Sequence, residues 1–159
     1  MGTQAIDAQL RLLACLNQGP DTNCTYEFRE LPFHESLEEA LREVFGSGIH
    51  YRGNQPHSYS AADWHLRLDE KKEHAGDILA PVLVEWAFKM PYSPVLAAKG
   101  DWVRQNVISM LCEAFQEEVG NCQVFEIFVS PSWWYEAAWQ DFAFKGDSRI
   151  WFLHFGVSD

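Results

Sequence analysis

Apolar residues recur every three or four positions in three stretches of the chain, and this spacing predicts amphipathic helices. The first predicted helix covers residues 3–18 and ends at a Gly-Pro pair. The second begins after Pro32, where Ser36 and Glu39 have the spacing of a capping box, and ends at Gly46-Ser47-Gly48. The third extends from Asp101, a predicted N-cap, to Gly120, because glycine commonly closes a helix.

Alternating apolar and polar residues predict strands in much of the remaining chain. One of these strands is expected to be central in the sheet, because apolar residues occupy both of its faces, and a turn at Lys145-Gly146-Asp147 joins the last two strands as a hairpin. Residues 48–61 show no clear period and predict a long exposed loop. The predicted strands are residues 24–31, 64–69, 82–88 (the central strand), 122–129, about 134–144 and 149–157.

These elements predict one α+β domain over residues 1–159, with about three helices packed on a mostly antiparallel sheet that ends in a C-terminal hairpin. A chain of this length buries well over half of the surface that its unfolded form exposes. Hydrophobic residues make up 47% of it and aromatic residues 14%, which supplies ample material for a core. Order is therefore expected nearly from end to end.

The charge is strongly negative, with 12 Lys and Arg against 23 Asp and Glu and a formal net charge of -11. Nucleic acids and anionic lipids bind clustered Lys and Arg, so an acidic surface repels both. Direct binding to nucleic acid is therefore not expected. The charge either keeps an aromatic-rich chain soluble or attracts a basic protein partner.

The chain has no basic start followed by an apolar run, and no run approaches the roughly 18 apolar residues that cross a bilayer. We therefore expect neither secretion nor membrane insertion. Its four cysteines, at positions 15, 24, 112 and 122, form no C-x-x-C pair, and we expect them to be reduced in a cytoplasmic protein.

Catalytic and cofactor motifs are missing from the sequence: it has no phosphate-binding loop, no G-x-S-x-G elbow and no H-E-x-x-H helix. We predict no cofactor and no enzymatic activity. The alternative is a small enzyme or metal site assembled from His50, His57, Asp63 and His65, which are residue types that bind zinc. Their spacing matches no metal motif, so ordinary surface histidines are the simpler interpretation.

Two features favour a binding surface. Glu35, Glu39 and Glu43 recur every four residues around the second helix, and this spacing predicts a stripe of like charge on one helix face, either solvated or matched to a basic partner. A cluster of aromatic residues follows Ser130-Pro131, and tryptophan and tyrosine are common at binding hot spots as well as in cores. The cluster consists of Trp133, Trp134, Tyr135 and Trp139.

The size, the acidity, the α+β order and the C-terminal hairpin resemble those of bacterial immunity proteins that act against polymorphic or contact-dependent toxins. The hairpin carries Trp139-Gln140-Asp141-Phe142, Gly146-Asp147 and Leu153-His154-Phe155-Gly156-Val157-Ser158-Asp159. The resemblance is one of general type over most of the chain. It implies a cytoplasmic protein that binds one cognate toxin, often a nuclease with a basic cleft, and blocks its active site.

Overall fold

A computed structural model describes residues 1–52, 54–89, 100–130 and 136–158 of the chain. Its strands are β1 Asn23–Leu31, β2 Gly48–Arg52, β3 Gln55–Tyr59, β4 His65–Lys71, β5 Gln123–Ser130, β6 Ala138–Lys145 and β7 Ile150–Ser158. Its helices are α1 Thr3–Asn17, α2 Leu37–Phe45, α3 Ala75–Leu83 and α4 Asp101–Val119, with a 3-10 turn at Ala61–Asp63 and a π-helix at Val84–Lys89. Over these residues, no helix combines the length and the apolar character needed to cross a membrane.

Five strands form one antiparallel sheet in the order β1-β7-β6-β5-β4. β7 lies between β1 and β6, and every residue from Ile150 to Val157 is buried. Burial on both faces accounts for the nearly continuous apolar sequence of this strand. Among the strands that the structure describes, β2 and β3 pair with each other alone and form a separate hairpin.

Helices α1, α3 and α4 cover one face of the sheet. Their apolar stripes meet the aromatic side chains that β1, β6 and β7 direct to that face, such as Phe28 against Phe115 with ring centroids 4.7 Å apart. The buried residues of this layer include Ile6, Leu10, Leu79, Leu83, Leu111, Phe115, Tyr26, Phe142, Phe144 and Phe155.

Helix α2 covers the opposite face, together with Trp64 just before β4. Phe45 at the end of α2 packs on Trp64 and on Phe152 of β7, with ring centroids 4.7 and 6.1 Å apart. The buried residues of this smaller layer include Leu31, Leu37, Ala40, Leu41, Ile127, Val129, Ala143 and Ile150. The sheet is therefore the middle of three layers, and surfaces on α2 and α3 face away from each other.

The predicted start and end of α2 are confirmed. The Ser36 side chain accepts a hydrogen bond from the backbone N–H of Glu39 at 3.5 Å, as expected of an N-cap. Gly46 ends the helix with a φ of 63°, a conformation that residues with a side chain rarely adopt. The third predicted helix also ends at Gly120, with a φ of 59°, but Gly100 and not Asp101 is its N-cap.

The predicted class is confirmed: helices pack on an antiparallel sheet that ends in the β6–β7 hairpin. Two predictions about elements are wrong. Residues 82–88 are not a strand, because they lie at the end of α3 and in the π-helix, which brings the described α-helices to four. Residues 48–61 are not a structureless loop, because they contain the β2–β3 hairpin and the beginning of the 3-10 turn.

Candidate binding surfaces

Glu39 and Glu43 project from the solvent side of α2, where their side chains are 69% and 53% exposed. The opposite side of the helix is anchored in the core by Leu37, Leu41 and Phe45. His34 approaches both acids, with Nε2 at 3.1 Å from Glu43 and Nδ1 at 4.0 Å from Glu39. The two carboxylates therefore stand on a rigid support with a single imidazole beside them.

Glu35 is exposed but precedes the N-cap of α2, so the four-residue spacing along a helix does not extend to it. Its backbone carbonyl accepts a hydrogen bond from Lys145 Nζ at 2.6 Å. Arg42 pairs with Glu38 at 2.7 Å and donates to the carbonyl of Ala61 at 3.0 Å. Arg42 therefore joins α2 to the 3-10 turn, and no ion pair links it to Glu39 or Glu43.

The aromatic cluster divides between two parts of the chain. Trp133, Trp134 and Tyr135 lie outside the described residues. Trp139 lies in β6, where it is half-buried and packs against the core layer beneath α2. Trp139 therefore belongs to the edge of that layer as well as to the surface.

The proposed histidine site is spread over three elements. His50 and His57 are register partners in the β2–β3 hairpin, and the His57 side chain is exposed. Asp63 accepts hydrogen bonds from the backbone N–H and hydroxyl of Ser60, at 2.6 and 3.1 Å, in the capping box of the 3-10 turn. His65 is exposed at the start of β4. Among the described residues, no group of three or more His, Cys, Asp and Glu side chains is arranged to hold a metal ion.

A buried cluster of charged residues lies on the α2 side of the sheet and was missed from the sequence. His154 Nδ1 is 2.7 Å from Asp141 Oδ1, and His154 Nε2 is 3.4 Å from Glu136 Oε1. Their side chains are 5%, 0% and 14% exposed for His154, Asp141 and Glu136 respectively. The ring of Phe152 stacks on His154 and also contacts Phe45 of α2, so the cluster is joined to the acidic helix through two aromatic rings.

The two carboxylates keep His154 charged. Burial by itself disfavours the imidazolium, but the hydrogen bonds to Asp141 and Glu136 outweigh it and raise the pKa of His154 to about 9. At neutral pH His154 is therefore protonated, and its two imidazole nitrogens donate to Asp141 and Glu136. Burial raises the pKa of Asp141 above its ordinary value, and the hydrogen bond and charge of His154 offset part of that rise. Asp141 Oδ2 and Glu136 Oε2 are buried, and neither accepts a hydrogen bond from the part of the chain that the structure describes.

A signal for this cluster was present in the sequence. Asp141 and His154 are polar residues within mostly apolar strands, and the turn around Gly146 sets them opposite each other in β6 and β7. Glu136 precedes β6 and reaches the cluster across Gly156, so strand periodicity does not reveal it. Comparisons with protein-family models, with curated proteins and with solved structures found no match to this chain.

Proposed function

We propose that this chain is an acidic binding protein that neutralises a basic toxin protein by covering its active site, in the manner of the bacterial immunity proteins that it resembles. The observation that carries the proposal is the exposed pair Glu39 and Glu43 on α2, which has a core-anchored helix beneath it. Glu35 adds a third exposed acid at the N-terminal end of the helix. Such a surface suits the Lys and Arg side chains that line a nuclease cleft.

The arrangement supports fast association in particular. Fixed carboxylates on a rigid helix attract a basic partner over several ångströms, and the net charge of -11 adds to that field. Because Leu37, Leu41 and Phe45 hold the helix, the carboxylates need little ordering when the partner arrives. The proposal includes the aromatic residues Trp133, Trp134, Tyr135 and Trp139 as further contacts with the toxin, and a location in the cytoplasm.

The first experiment identifies the partner and its effect. A tagged form of the protein is used to purify partners from the source cell, and each partner found by mass spectrometry is expressed alone and with this chain. We expect a basic protein that stops growth when expressed alone and allows growth when the two are expressed together. A partner without toxicity, or toxicity that this chain does not relieve, would contradict the proposal.

The second experiment locates the surface. The triple variant Glu35→Lys, Glu39→Lys and Glu43→Lys should associate with that partner at least about tenfold more slowly at low salt, and the difference should shrink at high salt. Its melting temperature should hardly change, because like-charge repulsion along a helix contributes only about 0.2–0.5 kcal/mol per pair.

The matched control carries the same change of charge elsewhere on the surface. Asp21, Glu70 and Glu113 are exposed, and none of them lies on α2. Replacing these three with lysine should slow association much less than the α2 variant does. Equal slowing in the two variants would show that net charge, and not the α2 surface, governs the encounter.

A further inference from the structure

A groove of about 380 Å³ separates α3 and the π-helix from the sheet, on the opposite face from α2. Its walls combine apolar residues with acids. The apolar part consists of Ile78, Pro81, Val82 and Phe142, and the polar part of Lys71, Glu73, Asp77, Glu85, Glu126 and Gln140.

The polar floor of the groove is already satisfied by its own hydrogen bonds. Glu126 accepts from Lys71 Nζ at 2.7 Å and from Gln140 Nε2 at 3.0 Å. Gln140 Oε1 in turn accepts from the indole N–H of Trp86 in the π-helix at 3.0 Å. This chain of bonds fixes the distance between the π-helix and the sheet, so the groove is preformed.

The acids on the rim of the groove have fewer ion pairs and hydrogen bonds than Glu126 on its floor. Asp77 is exposed in the first turn of α3 and has no ion-pair partner among the described residues. Within the described residues, the one hydrogen bond that Glu73 accepts comes from the backbone N–H of Lys72, at 3.0 Å. Glu85 at the other end is paired with Lys89 at 2.9 Å. The end of the groove near Asp77 is therefore the more negative one.

The groove length limits what fits into it. Asp77 and Glu85 are eight residues apart along one continuous helical segment, which corresponds to about 12 Å. An extended chain covers that distance with about four residues. The middle of this length is apolar, because Ile78, Pro81 and Val82 lie between the two acids.

We propose that this groove binds a short segment of a partner protein in which one or two Lys or Arg residues precede apolar residues. The basic side chains would lie against Asp77 and Glu73, and the apolar side chains would cover Ile78 and Pro81, above the buried Val82 and Phe142. Charge complementarity at one end and an apolar middle select this occupant over an acidic or wholly polar segment. The groove is a second surface, independent of the function proposed for α2, since the sheet separates the two.

The test uses a synthetic peptide as the probe. A capped pentapeptide, in which two lysines are followed by two leucines with one glycine between the leucines, is titrated into isotopically labelled protein, and amide shifts are followed by NMR. We expect saturable binding below about 1 mM, with the largest shifts at Ile78, Val82 and Phe142. Peptides with glutamate in place of lysine, or serine in place of leucine, should bind at least about fivefold more weakly.

Two double variants, each of which removes two negative charges, distinguish binding in this groove from binding at α2. Glu73→Gln with Asp77→Asn should weaken binding of the lysine peptide at least about fivefold, whereas Glu39→Gln with Glu43→Gln should leave it within about twofold. Melting temperatures confirm that both variants fold. Absence of binding near 1 mM, shifts centred on another surface, or equal weakening by both variants would overturn the proposal.

Discussion

His154 and Asp141 are register partners across β6 and β7, and their side chains meet at 2.7 Å in a part of the sheet that is almost closed to water. A buried carboxylate is stabilised only when a cation or hydrogen-bond donor accompanies it. His154 supplies both, and Glu136 holds its other nitrogen. The charge state of His154 is therefore part of what keeps the C-terminal hairpin packed.

The stability of the protein should consequently depend on pH through His154. Its pKa in the folded protein is about 9, above its ordinary value of 6.5, so folding favours the protonated form. The contribution of protonated His154 to the free energy of unfolding is fully present below pH 6.5 and is lost as the pH rises through 9. Urea unfolding at a series of pH values should show the free energy of unfolding falling by at most about 3 kcal/mol over that window.

The variant His154→Asn serves as the control for this pH dependence. It should be less stable than the wild type at pH 6.5, and its stability should fall less between pH 6.5 and 9. Burial also raises the pKa of the Cys112 and Cys122 thiols to about 11, so both proteins lose stability from pH 9 upward. A wild-type curve that runs parallel to the variant curve up to pH 9 would show that His154 is not the group responsible.

Gly156 should resist replacement because Glu136 occupies the space of a side chain there. A methyl group added at Gly156 would overlap the Glu136 carboxylate and approach His154 Nε2 to 2.6 Å. We expect Gly156→Ala to lower the free energy of unfolding by about 1–3 kcal/mol. Adding Glu136→Ala in that background should cost less than it does in the wild type, because it removes one source of the overlap. The two single variants and the double variant form a double-mutant cycle. Strictly additive changes in the free energy of unfolding would contradict the overlap.

Asn17 joins the end of α1 to the π-helix, and its loss should be costly. Its amide donates to the carbonyls of Trp86 and Ala87, at 3.2 and 3.1 Å, and to the hydroxyl of Tyr26 at 3.0 Å. Asn17→Leu should lower the free energy of unfolding by about 2–3 kcal/mol, because the carbonyl of Ala87 loses this donor and the carbonyl of Trp86 is left with the Tyr26 hydroxyl. Tyr26→Phe is the milder control, at about 1 kcal/mol, since it removes one hydroxyl that donates to Trp86 at 2.6 Å. A smaller effect for Asn17→Leu than for Tyr26→Phe would contradict this assignment.

The four cysteines are free thiols in the structure, and they should differ in reactivity. Cys15 is exposed, Cys24 is buried, and the pKa values of Cys112 and Cys122 are raised to about 11 by burial. Iodoacetamide at pH 8 should modify Cys15 first in the native protein, because a buried thiol with a raised pKa forms little thiolate. Mass spectrometry after denaturation without reductant should then find four modified cysteines. Two unmodified residues would indicate a disulfide.

Part of the fold was determined by local sequence. α1 and α2 show helical periodicity with clear ends, and the strand around Tyr26 alternates between apolar and polar residues, so each could be predicted without knowledge of its neighbours. Residues 82–88 could not, because they form a short and mostly apolar run that suits a buried strand as well as a buried helix. Packing decided the outcome: the five strands form the sheet, and this segment packs on its face.

The sequence by itself determined the acidic charge, the exposed acids of α2 and the fold class, since these depend on composition and on residues close together in the chain. The tertiary structure alone brought Glu136 onto His154, and Asp77 into one groove with Glu126 and Phe142. The physical reason is that such sites join side chains many residues apart, and their meeting depends on strand register and helix packing, which no local period encodes.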